Sequence, residues 1–429
     1  MCKTLKLLLS GLMIVIPVSL LQSQNRTSSP FSRYGMGELN PQGFSRNQAM
    51  GGTGIGLRSA GYLNNMNPAS YSALDSMSFF FETGLQSLTQ NISENGASES
   101  FSEMNFDYFA LGFAVGPKMG ISLGFRPATQ AGYDFQSLQT ANNDSHLLQI
   151  KGEGNFTDLY ASVAYSISPS LSAGINASYW FGDIKHTSFQ DFVSDPNAYI
   201  YGSRTEHHIG TLLFDLGLQY TTLLDENRSL TLGLVFRPQT AVSGRSSHLV
   251  ARGTGYDVQG DLFTNNDTLS FSSDSWRSRS FEMPLKLGVG ASYTIQNKLI
   301  LAADYSTERW ADVQFPDFNT QTANTNYFAL GAEFIPNERT GNRYHQRIRY
   351  RAGLHYAQDY IKINNNQLRD FGMAFGLGLP LGRSNTSINL GFEYGNIGTG
   401  QSSEMKETYS KFTLGFTLHE YWFFKRKFD

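Results

Sequence analysis

The sequence predicts an all-β protein, a transmembrane antiparallel β-barrel of about 14 strands with an N-terminal plug, or hatch, inside the lumen. Of its 429 residues, 14% are aromatic and only 16% are charged, whereas about a quarter is usual in soluble domains. Mean hydropathy is nevertheless −0.30. Strands that alternate lipid-facing apolar residues with lumen-facing polar residues explain both values.

Residues 1–24 have the form of a secretory signal. Lys3 and Lys6 give the positive start, and an apolar run over residues 7–21 follows. The single cysteine, Cys2, precedes that run and would leave with the signal, so no disulfide is expected in the mature chain. Export together with the strand pattern predicts the outer membrane of a Gram-negative bacterium. A formal net charge of −3 gives no reason to expect nucleic acid as a partner.

Residues 25–74 are predicted to form the plug, and residues 75–429 the barrel. The plug is rich in Gly, Asn and Ser and has no sustained strand alternation. Glycines over residues 51–56 permit backbone conformations that other residues resist. No strand precedes this run and no Gly-Lys-Ser/Thr follows it, so a phosphate loop is not expected. Asn67 and Pro68 indicate a turn, or a helix start with Asn67 as its cap.

The barrel strands are predicted from alternation with a period of two. Phe412, Leu414 and Phe416, for example, alternate with polar or small residues. The predicted strands span residues 77–92, 102–115, 119–133, 147–167, 171–186, 203–223, 228–245, 277–296, 298–311, 323–336, 345–361, 369–381, 385–396 and 406–420. Short turns alternate with long connections, and the long ones are expected outside the cell. The long connections are residues 134–146, 187–202, 246–276 and 312–322.

One predicted strand carries an unusual number of basic residues. If its apolar positions face lipid, Arg347, Arg349 and Arg351 face the lumen as a ladder, followed by His355. An unpaired charge in a confined lumen is costly, so these arginines are expected to pair with wall carboxylates and hold the plug. The alternative is a site for an anionic head group, because arginine binds carboxylate and phosphate through two parallel hydrogen bonds.

Proline within a strand removes a ladder hydrogen bond and marks a bulge or a break. Pro127 lies in the third predicted strand, directly after Phe125 and Arg126. A break in a wall strand would open a side exit toward lipid, and Pro127 is the preferred candidate for such a kink. A plain bulge near the rim is the alternative.

The pattern does not predict an enzyme. The eight histidines lie in neither a G-x-S-x-G context nor a metal spacing such as H-E-x-x-H. No catalytic residue, metal site or cofactor is therefore expected. The Asn- and Asp-rich stretches at 141–144 and 264–267 are interpreted as flexible polar loops in preference to calcium sites.

Several short segments resemble the FadL-type outer-membrane transporters of hydrophobic compounds. They are the Gly-rich run at 51–56, Asn67-Pro68-Ala69, and residues 284–293, 299–310 and 349–353. Residues 29–35 and 422–427 are similar to a Bacteroidota branch of that family. The resemblance implies a fourteen-stranded barrel with an N-terminal hatch that includes Asn67, Pro68 and Ala69.

The resemblance also implies a function. A hydrophobic small molecule such as a long-chain fatty acid would be captured passively at the cell surface and released laterally through a kinked wall strand. The apolar residues Phe44, Met50 and Leu57 would then gate the hatch. The sequence offers no clearly apolar external loop for capture, which leaves an alternative. In that alternative the barrel is an accessory or scaffold subunit of an outer-membrane secretion or assembly complex, and its external loops, especially 246–276, bind another envelope protein.

Overall fold

The computed structural model describes residues 28–40, 43–94, 96–141, 144–192, 195, 197–254, 267–276, 281–313, 321–337, 343–381, 386–400 and 405–421. Several stretches singled out in the sequence lie wholly or partly outside this set. They include the predicted signal at 1–24, parts of the polar stretches at 141–144 and 264–267, parts of the predicted connections 187–202, 246–276 and 312–322, and the C-terminal segment at 422–427.

The described residues form fourteen antiparallel strands that close into a barrel, with the first strand paired to the last. The strands are β1 Ser78–Glu94, β2 Ala97–Ala114, β3 Met119–Ala141, β4 Asp144–Ser166, β5 Leu171–Asp191, β6 Ile200–Leu223, β7 (Arg228–Arg237, Thr240–Ala241 and Gly244–Gly253), β8 (Asp267–Trp276, Glu282–Met283 and Lys286–Ile295), β9 Leu299–Glu308, β10 (Gln321–Thr322 and Thr325–Phe334), β11 Arg349–Ile363, β12 Asn366–Pro380, β13 Ser387–Gly398 and β14 Lys406–Tyr421. The predicted fold class is confirmed.

A band of exposed apolar side chains surrounds the barrel. In β6, outward-facing apolar residues at alternate positions over residues 212–220 are 42–49% exposed, whereas Leu213, Asp215 and Gln219 between them are buried. The band matches the ~9–11 residues that a tilted strand needs to cross a bilayer. Helices of the described residues are all too short or too polar to span a membrane.

Strands β3 to β8 continue well past this band. Their distal parts, residues 126–141, 144–157, 182–191, 200–210, 244–253 and 267–276, pair in chain order and form what we call the tall sheet. About ten further residues at ~3.3 Å each lengthen each of these strands by about 30 Å along its own axis. The first residue of β1, Ser78, pairs with the last residue of β14, Tyr421, at the opposite end of the barrel. Short turns such as residues 167–170 lie at that opposite, periplasmic end, so the tall sheet is extracellular.

The ladder of strands in the tall sheet ends at two edges, one on β3 and one on β8. Pairing between β2 and β3 ends at Phe109 and Phe125, and we call the separation beyond this point the β2–β3 seam. At the other side, Asp267–Trp276 pairs only with Gly244–Gly253 among the described residues. Its other neighbour would be β9, which ends at Glu308 after pairing with Lys286–Ile295. We call the open side of Asp267–Trp276 the β8 edge.

The predicted strand ends are wrong where the strands leave the membrane. Residues 134–146 do not form a long loop, because β3 and β4 pair as far as Ala141 and Asp144. The predicted loops at 187–202 and 246–276 also contain strand, and β11 begins at Arg349 instead of residue 345. The hairpin over residues 134–146 is mostly polar, so it lacks the apolar alternation on which the strand prediction depended.

The N-terminal segment, described over residues 28–40 and 43–75, lies against the inward faces of the strands. It contains the 3-10 turns Pro30–Arg33 and Pro68–Ala73, the short strand Glu38–Leu39 and one helical turn, Ser45–Gln48. Its backbone N–H groups at Gly54 and Ile55 donate to Asp304 of β9, at 2.6 and 2.8 Å. On another side of the barrel, its Ser45 hydroxyl lies 2.9 Å from the Tyr108 hydroxyl of β2.

Candidate functional site: the lumen and the seam

One buried carboxylate joins the N-terminal segment to the wall. Glu333 of β10 accepts from Nε and Nη2 of Arg46 at 3.1 and 2.9 Å, and from Nε of Arg351 at 2.7 Å. Arg351 also donates to Asn389 of β13 at 2.8 Å. The three charged side chains are at most 8% exposed. Such a buried, bidentate arrangement fixes the position of the helical turn that carries Arg46.

The same cations surround one aromatic ring of the N-terminal segment. The guanidinium carbons of Arg46, Arg349 and Arg351 lie 4.5, 5.5 and 5.9 Å from the ring centre of Tyr62. Cation–π attraction strengthens in a desolvated site. The wall residues Arg349 and Arg351 therefore contact the N-terminal segment at the Tyr62 ring, and Arg46 of that segment contacts the wall at Glu333.

The predicted arginine ladder has two members in the strand. Arg349 and Arg351 lie on β11 and are 7% and 3% exposed. Arg347 precedes the strand, at the C-terminal end of the 3-10 turn Tyr344–Gln346, and is half-buried. The predicted inward position of Arg347 is wrong because the strand begins at Arg349 and not at residue 345.

The predicted gating residues are all buried in the N-terminal segment. Phe44 stacks on Tyr108, with ring centres 4.4 Å apart. Met50 and Leu57 are 0% and 3% exposed and pack with Ala302 of β9. The structure thus distributes these three side chains over two apolar clusters instead of one gate.

Asn67, Pro68 and Ala69 begin the second 3-10 turn of the N-terminal segment. The Asn67 side chain accepts from the Ala69 N–H at 3.1 Å. Its amide nitrogen donates to the carbonyls of Ile55 and Leu218, at 2.9 and 3.2 Å. Asn67 therefore acts as the predicted cap and also binds this turn to β6.

Glycines on the inward face of the wall make room for the N-terminal backbone. A Cβ added at Gly353 would overlap Met50 and Gly51, and one added at Gly217 would overlap Asn67 and Pro68. Similar overlaps with the N-terminal segment occur at Gly120, Gly174, Gly233 and Gly331. We call these six residues the wall glycines. Sequence reasoning missed them, although Gly recurs at inward positions of several strands and was a usable signal.

The β2–β3 seam opens next to Pro127. The register of β3 against β4 shifts between Pro127 and Thr129, and every residue over 126–133 is buried, so the alternation of faces stops there. The N-terminal segment covers this stretch from inside. Asn40 donates to the carbonyls of Ala128 and Pro127, at 3.0 and 3.3 Å, and Glu38–Leu39 pairs with Gln130 and Thr129.

A cavity of about 260 Å³ lies between the N-terminal segment and the wall, next to the seam. Its lining is rich in ionisable side chains that are paired with one another or with wall residues. Lining ion pairs include Lys411 with Glu393 at 2.8 Å and Lys286 with Glu308 at 3.6 Å. Arg237, also in the lining, binds Asp215 through two bonds of 2.7 and 3.0 Å. Apolar side chains such as Leu39, Trp180, Met283 and Trp310 complete the lining, so the cavity combines paired charges with apolar surface.

The closed strand order, the lipid-facing band and the lumenal N-terminal segment define an outer-membrane β-barrel that holds an N-terminal segment in its lumen. Similar solved structures include a Pseudomonas aeruginosa FadL homologue (10% identity, TM-score 0.59, covering 90% of this chain and 99% of that chain). They also include the P. putida toluene transporter TodX (15%, 0.58, 89% and 99%) and the CymD monoaromatic hydrocarbon channel (15%, 0.55, 90% and 98%). At these identities the likeness shows the fold alone.

The family model BamG matches residues 1–429, and the chain belongs to the BamG family. Among curated proteins, no sequence matches this chain.

Proposed function

We propose that this protein is an accessory or scaffold subunit of an outer-membrane protein assembly or secretion complex, and that its tall sheet binds the partner. The tall sheet is the observation that carries the proposal. It stands outside the membrane, and its β8 edge has no partner strand among the described residues. Unpaired strand edges are templates for pairing with another chain. Leu138 and Phe271, both in the tall sheet, are 65% exposed, as expected of residues that a partner covers.

The contacts of the N-terminal segment support the same proposal, because they hold it in the lumen. Arg46 binds Glu333 of the wall, and Asn67 donates to the Leu218 carbonyl. Movement of the N-terminal segment would also separate Arg46 from Glu333, leaving charges unpaired in a confined site. The segment is therefore proposed to remain in place as a structural part.

A second candidate function is the passive, hatch-gated uptake of a hydrophobic small molecule such as a long-chain fatty acid. The β2–β3 seam favours it, because a cavity that adjoins an interrupted wall provides a lateral route to lipid. Asn40 and Gln48 line both this cavity and a smaller one that reaches Pro127. In this function the N-terminal segment would have to shift at Asn40 to admit the ligand.

Native mass spectrometry of the tagged protein, extracted gently from its own outer membrane, distinguishes the two functions. The accessory role predicts a stoichiometric complex with another envelope protein. Recovery of a monomer with a hydrophobic adduct would overturn that role and favour uptake. The adduct mass would then give the class of compound.

A further inference from the structure

We propose that the β8 edge accepts an extended, basic segment of a partner envelope protein as an additional antiparallel or parallel strand of the tall sheet. This inference rests on the proposed accessory function, because it names the surface and the kind of partner segment for that role. Pairing through the backbone supplies affinity, and side chains at alternate positions supply specificity.

The β8 edge presents backbone groups that the described part of the chain does not pair. Asp267–Trp276 is bonded on one side only, to Gly244–Gly253. Every residue over 267–275 is exposed, so this strand is solvent-accessible on both faces as well. A strand bonded on one side has alternate N–H and C=O groups directed away from the sheet.

The opposite edge of the same sheet already binds an added strand. Glu38–Leu39 of the N-terminal segment pairs antiparallel with Gln130 and Thr129 of β3. The molecule therefore uses strand addition at one edge of the tall sheet with its own chain. The β8 edge is the equivalent position at the other end of the sheet.

The β8 edge also lacks most of the devices that protect exposed edges. Natural proteins block edges with lysine, proline, strong bulges or a covering loop. Asp267–Trp276 has the sequence DTLSFSSDSW, which contains neither lysine nor proline. One register irregularity occurs, opposite Val250 and Ala251, and the strand beyond it is regular from Ser270 to Trp276.

The side chains of the β8 edge indicate what the partner segment carries. Asp267 and Asp274 are acidic, and the strand has no basic residue. Asp267 already binds Arg252 of β7, at 3.1 and 2.8 Å, which leaves Asp274 to attract a lysine or arginine of the partner. Leu269 and Phe271, 47% and 65% exposed, would pack on apolar residues of the partner. A second copy of this chain fits poorly, because two such edges would bring together two Asp274 carboxylates with no basic residue in either strand to pair with them.

Proline substitution tests the edge with a control built into the strand. We would make Ser272→Pro and Ser273→Pro separately, because N–H groups of successive residues point to opposite sides of a strand. One proline removes a bond to Gly244–Gly253, and the other removes only a donor at the open edge. The variant whose proline replaces the open-edge donor should keep the heat-modifiable folded barrel and lose at least tenfold of the co-purifying partner. The other variant should instead weaken the pairing with Gly244–Gly253.

Two further variants keep the test decisive if a proline variant misfolds. A photo-crosslinking amino acid at Phe271 should capture the partner, whereas the same group at lipid-facing Leu218 should not. Asp274→Lys should reduce partner recovery tenfold, whereas Asp225→Lys, at a half-exposed carboxylate in a turn at the opposite end of the barrel, should not. If the complex is recovered but no crosslink forms at position 271 and Asp274→Lys has no effect, this inference is overturned and the accessory function is not. Failure to recover any partner overturns the accessory function as well.

Discussion

Glu333 is the wall carboxylate that binds a cation of the N-terminal segment and a cation of the wall together. Two guanidinium groups, from Arg46 and Arg351, bind its carboxylate in a buried position. The pairing of Arg351 with a wall carboxylate follows from its inward position in the sequence, because a buried cation needs an anion. The participation of Arg46 does not follow, because the N-terminal segment has no period from which its faces can be assigned.

Glu333→Gln is expected to release the helical turn Ser45–Gln48, because two buried guanidinium groups lose their counter-ion. Breaking a buried pair in this way costs about 3–5 kcal/mol of stability. Limited proteolysis of the protein in detergent should then cleave the N-terminal segment faster, and the thermal unfolding temperature should fall. Asp183→Asn, which breaks the half-exposed pair with His208, is the control and should change stability by about 0–1 kcal/mol. Equal behaviour of the two variants would contradict the assignment of Glu333.

Gly353→Ala is expected to displace the N-terminal backbone at Met50, because the added methyl group overlaps it. Overpacking of this kind costs about 1–3 kcal/mol. Hydrogen exchange of the backbone amides near residue 50 should speed up. At Gly398 an added Cβ meets its nearest atom at 3.6 Å, so Gly398→Ala is the matched control and should leave exchange unchanged. Unchanged exchange near residue 50 in Gly353→Ala would show that the wall glycine is dispensable.

At the scale of elements, the sequence predicts the strands accurately within the membrane and inaccurately outside it. Leu390 and Phe392 of β13 face lipid next to inward Asn389 and Gly391, and that alternation places the strand correctly. Residues 134–146 are mostly polar, so the hairpin between β3 and β4 gives no such signal. Pro127 marks the place where β3 leaves β2, but the extent of the seam depends on long-range pairing that no local pattern reports.

A disulfide between the N-terminal segment and β3 tests whether the segment must move. Leu39 and Thr129 are cross-strand partners, and such Cα atoms lie about 4.5–5.5 Å apart, within disulfide range. The double variant Leu39→Cys with Thr129→Cys should form the bond and retain the partner complex in full. If oxidation abolishes uptake of a fluorescent fatty acid and reduction restores it, the uptake function is favoured. The single variant Leu39→Cys controls for the substitution itself.

At the scale of the whole molecule, the barrel is uneven in height. Strands β3 to β8 carry the tall sheet, whereas β9 ends at Glu308, close to the membrane band. The sequence predicts fourteen strands and a segment within them. It does not predict an open-edged sheet above the membrane, because that feature depends on where neighbouring strands stop.

Deleting residues 31–72 is expected to convert the barrel into an open pore, because these residues occupy the lumen beside the inward faces of the strands. Planar-bilayer recordings should show large, stable conductance steps for the deletion variant and none for the intact chain. Unchanged conductance from a folded deletion variant would contradict the plug prediction. The result does not depend on which candidate function holds, so it tests the plug alone.

The wall glycines also impose an order on biogenesis. The N-terminal backbone fits closely against these glycines, and β1 pairs with β14, so the cylinder closes only when the final strand arrives. We therefore expect the N-terminal segment, which is synthesised first, to be enclosed as the last strand pairs, and not to enter a cylinder that has already closed.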